Sequence, residues 1–171
     1  MIVRSCTLLK RALLGSLLAI SLSTMACADF QITTPDQMVE VSKTKVTAAD
    51  YVAMTHHGVV MRAQTFEVGE SRSADAPPAS LEFWEQAVME RMRTRGGYAL
   101  LSTSEVQAAS GEEGLRFEFG RDQNGAPYRY TVALFITGER IHLIEAGGRQ
   151  DRYEEASAAI DQALESYVIK R

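Results

Sequence analysis

The chain has 171 residues, with 18 Lys and Arg against 22 Asp and Glu, a net charge of −4 and only two cysteines. That acidic balance argues against nucleic acid or an anionic membrane face as a partner, and the cysteines are too few for a disulfide-stapled scaffold. The length suits one domain with a sizeable core behind a processed N-terminus.

Residues 1–28 read "MIVRSCTLLKRALLGSLLAISLSTMACA". Arg4, Lys10 and Arg11 form a positive start, an apolar run follows from Ala12 to Leu22, and small residues lead to a cleavage region. That is the order of a secretory signal, and the run is shorter than the ~20 residues that span a bilayer. Two cuts fit. Ala26 and Ala28 are the small residues at −3 and −1 of a cut before Asp29, which removes 1–28. Ala26 before Cys27 also suits a lipoprotein peptidase, which removes 1–26 and leaves Cys27 as the lipid attachment point. Thr24 stands where that pattern usually has Leu, whereas a rare cysteine at this boundary favours it. Both fates export the product to the periplasm, soluble in one case and lipid-anchored in the other. Either cut discards Cys6, so no internal disulfide can form. Losing the three cations takes the basic count from 18 to 15 against 22 acidic residues, a net of −7.

Residues 29–50 read as an N-terminal extension with short strands, "FQITT" and "MVEVS", separated by a turn at Pro35-Asp36. Residues 51–171 read as a single α+β domain. "YVAMTHHGVVMRAQTFEV" is a hairpin with His57-Gly58 in its turn, and "ESRSADAPPAS" is a loop because paired prolines defeat regular structure. "SLEFWEQAVMERMRTRGG" has helical spacing. Leu81, Trp84, Val88 and Met92 form its apolar stripe, widened by Ala87, and Gly96-Gly97 supplies the stop.

Four strands follow. "YALLSTSEV" leads to a turn at "ASGEEG", then "LRFEF" puts Leu115, Phe117 and Phe119 on one face and Arg116 and Glu118 on the other. Asn124-Gly125 is a strong hairpin signal. "YRYTVALFIT" becomes apolar on both faces from Val132, which places it mid-sheet with cover on each side. "RIHLIEAGG" is the fourth strand, with Gly147-Gly148 as a turn into a final helix whose stripe is Tyr153, Ala156, Ile160, Ala163, Leu164 and Tyr167. Asp151 and Glu154 have the spacing of a capping box. Hairpin-length connections predict an antiparallel sheet of about five to seven strands, with one amphipathic helix on each face.

This order, with "FWEQAV" opening the middle helix and the ending "YTVALFITGERIHLIEAGGRQDRYEEASAAIDQALESY", resembles the PsbP-like fold group over roughly residues 51 to 168. The resemblance implies an α/β/α sandwich. It also implies a binding or assembly factor of the cell envelope rather than an enzyme, with an envelope protein as partner and no cofactor. No catalytic residues carry over, and membrane contact is expected only through the N-terminal lipid. Oligomeric state is left open.

The residues themselves offer few centres for chemistry. His56 and His57, with His142 or Glu145, would make a metal-assisted hydrolase only if three or four ligands converged. A solvated turn pair and a strand-face histidine is the favoured reading. Glu145 shares the register of Ile141 and Leu143, so it is expected either at a sheet end beside Arg149 or Arg152, or half-buried. Trp84 reads as core. "RMRTR" reads as a solvated helix end. An apolar pocket between helix and sheet, lined by Trp84, Phe117, Phe119 and Phe135, would make the protein a small-ligand carrier instead.

Overall fold

Strands that alternate apolar and polar residues cover one face of a sheet, whereas strands apolar throughout need cover on both. Both kinds occur here, and together they set the layers. The computed structural model describes residues 29–41, 49–67, 80–138 and 140–170. The expected signal segment 1–28 with Cys27, and the proline loop up to residue 79, lie outside the described residues.

Nine strands and two helices are described: β1 (Phe30–Gln31), β2 (Val39–Glu40), β3 (Tyr51–Met54), β4 (Val60–Glu67), α1 (Leu81–Gly96), β5 (Ala99–Gln107), β6 (Glu113–Gln123), β7 (Ala126–Ile136), β8 (Arg140–Arg149), α2 (Gln150–Glu165) and β9 (Val168–Ile169). Seven strands form one sheet in the order β2-β3-β4-β8-β7-β6-β5, every pair antiparallel. The β3–β4 turn falls at His56–Gly58, with Gly58 at φ 85° and the Thr55 hydroxyl accepting from Val59 N–H at 3.1 Å. Asn124 and Gly125 both take positive φ in the β6–β7 turn, as a two-residue hairpin demands. Those expectations hold.

So does the two-sided sheet. Val132 and Leu134 of β7 join Phe117, Phe119, Ile141 and Leu143 under α1, which contributes Val88 and Met92. Ala133 and Phe135 face the other way with Ile144 and Ala146, against Tyr153, Ala156, Ile160 and Leu164 of α2. Burying each large apolar side chain is worth about 1.5–3 kcal/mol, so the two stripes fix the helices to opposite faces.

Ser80 caps α1 by accepting from Phe83 N–H at 3.2 Å, and Gly97 ends it at φ 63°. Arg121, stacked 4.5 Å over the Tyr98 ring, donates to Gly96 O at 2.7 Å and so ties the β6–β7 hairpin to that helix end.

Two local expectations fail. Gly147 and Gly148 are not a turn but part of β8, which runs straight into α2. Gly147 lies under the Tyr130 ring and Gly148 against Val59, and a side chain at either would meet those neighbours. With no loop to hold a cap, Arg149 is the residue before the helix, no side chain caps it, and Asp151 sits inside the first turn.

The strand at 30–31 does not pair with its neighbour at 39–40. β1 pairs with β9, Phe30 against Ile169, and Phe30 stacks on Tyr167 at 5.1 Å between ring centres.

A Cβ added to Gly114 would collide with the Leu134 carbonyl and the Phe135 ring, whereas one on Gly138 would meet nothing. Gly114→Ala should therefore cost about 1–3 kcal/mol in a urea titration, with Gly138→Ala nearly silent.

Candidate functional site

Glu145 is the most deeply buried carboxylate among the described residues, only 2% exposed. Its odd position on β8 aims it at the α1 face with Ile141 and Leu143, as the register requires. The expected partners are wrong, however. Arg149 is four residues further along the strand and pairs with Asp151 at 3.4 Å, and Arg152 turns to Glu155 at 3.1 Å. Glu145 is held instead by Arg62, its cross-strand partner on β4, at 3.8 Å and by Arg91 of α1 at 3.6 Å. Tyr130 adjoins the same carboxylate. Burial first, and then the Glu145 charge, push its hydroxyl well above the ordinary phenol range. Glu145 Oε2 has no hydrogen-bond partner among the described residues, so the two ion pairs must offset its desolvation.

The arrangement works as a clasp. Arg91, the first arginine of "RMRTR", leaves the solvated helix end and reaches into the sheet. Arg93 stays outside with Glu90 at 2.6 Å. Sequence reasoning missed both arginines of the clasp, because cross-strand and helix-to-sheet register have no local signal.

The histidines do not assemble. His56 and His57 are exposed at the β3–β4 tip, with ring centres 3.6 Å apart. They border a hollow of about 280 Å³ with Gln37, Arg152 and Glu155. His142 pairs across with Thr65, at the other end of β4, and faces α2 rather than the Glu145 side. The four groups therefore cannot share one ion. No cluster of three or more such ligands occurs among the described residues.

His142 is buried, with Nδ1 2.9 Å from the Tyr167 hydroxyl. Burial, seconded by the Arg140 charge and opposed by Glu112, lowers its pKa below the ordinary imidazole value. A third polar group on the α2 face joins Arg116 to Glu118 at 2.8 Å and to Asp161 at 2.7 Å. The Thr131 and Tyr153 hydroxyls complete it.

The four aromatic residues expected around a ligand pocket are split by the sheet. Phe117 and Phe119 face α1 and Phe135 faces α2, so they cannot line one cavity. Trp84 is half-buried on the α1 side, edge-on to Phe83 at 5.5 Å, with its Nε1 unpartnered among the described residues.

The unclaimed surface lies at the other edge of α1. β5 ends the sheet, and its residues Ala99 to Glu105 are all exposed. An open groove of about 860 Å³ runs between β5 and α1, lined by Met89, Glu90, Arg93, Tyr98, Leu100 and Phe119. Leu100 is 43% exposed there, and Phe83, in helical register with Gln86 and Glu90, is 54% exposed, whereas Leu101, 49% exposed, lies beside Gly120 on the other face of the sheet.

No family model matches this sequence, and no curated protein matches it. Solved structures do match in shape. LpqN, involved in cell envelope biogenesis of Mycobacterium tuberculosis, superposes with a TM-score of 0.64 at 12% identity, covering 83% of each chain. The cyanobacterial PsbP, CyanoP, of Synechocystis sp. PCC 6803 gives 0.53 at 10% identity, covering 87% of this chain and 97% of that one. The fold is PsbP-like. At such identities the likeness concerns architecture alone. No described helix is long and apolar enough to cross a membrane.

Two expectations follow. Arg62→Met with Arg91→Met strands a buried carboxylate and should cost about 3–5 kcal/mol in chemical denaturation. Glu145→Gln leaves two arginines that water can reach, since they are 48% and 51% exposed, and should cost much less. Equal losses would show that the clasp is not what holds the charge.

The second concerns pH. The unfolded chain protonates a histidine near pH 6.5, while folded His142 stays neutral to lower pH. Stability should therefore fall as pH drops below about 6.5, and His142→Gln should flatten that slope in thermal melts at stepped pH.

Proposed function

We propose that this protein is a non-enzymatic binding or assembly factor of the bacterial cell envelope, exported to the periplasm by its N-terminal segment. The observation that carries this is the groove between α1 and β5, with Leu100 exposed in it and Phe83 exposed on α1. Contiguous exposed apolar surface of this kind marks interaction sites. The polar clusters, by contrast, are engaged with one another. Glu145 holds α1 to the sheet, and Glu118 binds Arg116, Thr131 and Tyr153.

Two further features support the reading. The leader has the order of a secretory signal, and one structural neighbour works in envelope biogenesis. The periplasm is reached whether Cys27 is removed or lipidated. A small-ligand carrier has less support, because the expected aromatic pocket is divided between the two faces.

A photo-crosslinking residue at Leu100 or Phe83, introduced in the native host, tests the reading. One recurrent envelope adduct is expected at both positions and none from Glu154, which is exposed on α2. Adducts no stronger than at Glu154 would remove this surface as the binding site.

A further inference from the structure

β5 is nine residues long and, among the described strands, has a neighbour, β6, on one side only. In an antiparallel ladder, alternate residues turn their N–H and C=O groups toward the neighbour and away from it. Ala108 N–H donates to Glu112 O at 2.9 Å, and that bond sets the phase. Counting back through the register, Val106, Ser104 and Ser102 address β6. Thr103, Glu105 and Gln107 therefore direct their backbone groups outward, where no described backbone group meets them.

Edge strands are usually shielded by shortness, by Lys or by Pro. "ALLSTSEVQ" has none of these, and its one irregularity is a bulge between Leu100 and Ser102.

The groove under α1 follows this edge and has two hollows. The larger contains Met89, Leu100 and Phe119. The smaller, of about 370 Å³, contains Leu81 and Leu115, with Glu105 and Glu113 at its rim. Phe119 and Leu115 are four residues apart on β6, which sets the hollows roughly 13 Å apart along the strand at ~3.3 Å per residue. A strand laid against β5 presents every second side chain to this face, so its residues i and i+4 reach the two hollows.

Charge selects the occupant. Glu105 and Glu113 have no ion pair among the described residues, and β5 contains no Lys or Arg. A second copy pairing through its own β5 would add carboxylates without a cation. It would also offer only Leu100, Thr103, Glu105 and Gln107 to this face. An extended segment with two apolar side chains and a basic residue satisfies the backbone, the hollows and the charge together.

We propose that β5 and α1 form a strand-addition site for an extended basic peptide segment of another protein, anchored by apolar residues four apart. This rests on the binding-factor reading and specifies its mode. Strand addition draws affinity from main-chain hydrogen bonds and specificity from alternate side chains.

The probe is a displayed library of random ten-residue peptides, selected on the full mature chain. Enriched peptides should share apolar residues at i and i+4 and a Lys or Arg. Backbone N-methylation at their β5-facing amides should weaken binding by about tenfold or more, with the protein unaltered. Amide exchange at Thr103 and Glu105 should slow on binding. Thr103→Pro should abolish binding at an unchanged melting temperature, and Glu105→Lys with Glu113→Lys should shift selection to acidic peptides.

Failure to enrich any peptide, or enriched peptides indifferent to N-methylation, overturns strand addition. So does concentration-dependent dimerisation that Thr103→Pro removes, which assigns the edge to a second copy. A crosslinked partner at Leu100 whose binding ignores N-methylation leaves the binding-factor reading standing and removes only this mode.

Discussion

Everything else is arranged around the burial of β7 and β8 on both faces. These adjacent strands carry Val132 and Leu134, Ile141 and Leu143 toward one helix, and Ala133 and Phe135, Ile144 and Ala146 toward the other. A strand covered on both sides tolerates no misplaced polar group without a partner. Glu145 is such a group, and its burial is what calls Arg62 and Arg91 into place. His142 is another, and it meets the Tyr167 hydroxyl. The two layers are thus tied by polar contacts at the points where the apolar pattern is interrupted.

Where a structural choice is made within a few residues, it could be read directly. Asn124-Gly125 specifies its turn, the alternation in "LRFEF" specifies two faces, and the change of pattern at Val132 announces cover on both. The stripe from Tyr153 to Leu164 gives α2. Longer-range decisions left no local trace. Gly147-Gly148 resembled a turn because glycine usually marks one, yet here it makes room for the Tyr130 ring and for Val59. The capping-box spacing of Asp151 and Glu154 was real, but the strand delivers the chain directly into the helix, so Arg149 takes the cap position and Asp151 falls inside the first turn. Arg62 meets Glu145 only through the β4–β8 register, which unites segments some eighty residues apart. The exposure of β5 depends on sheet order, although its charge-free "ALLSTS" run, poor in alternation, was visible from the start.

The PsbP-like architecture leaves its two sheet edges unlike each other. One edge strand, β2, is two residues long, whereas β5 is nine and borders a groove. Polar residues deep in the sheet serve cohesion, and the open edge is where backbone groups and apolar side chains are offered together. The features that looked chemically promising in the sequence and the open sheet edge therefore occupy different parts of the molecule.

The pairing of β1 with β9 has a kinetic side. Phe30 meets Ile169 across almost the whole described chain, so this contact closes the longest loop in the fold. Such non-local contacts slow folding, because loop entropy is lost before the contact is gained. Phe30 and Tyr167 cannot stack until residue 167 has been made, and a nascent chain still short of Val168 lacks the partner for β1. Under the export proposed above, that delay keeps the first strand unpaired until both ends of the domain have passed.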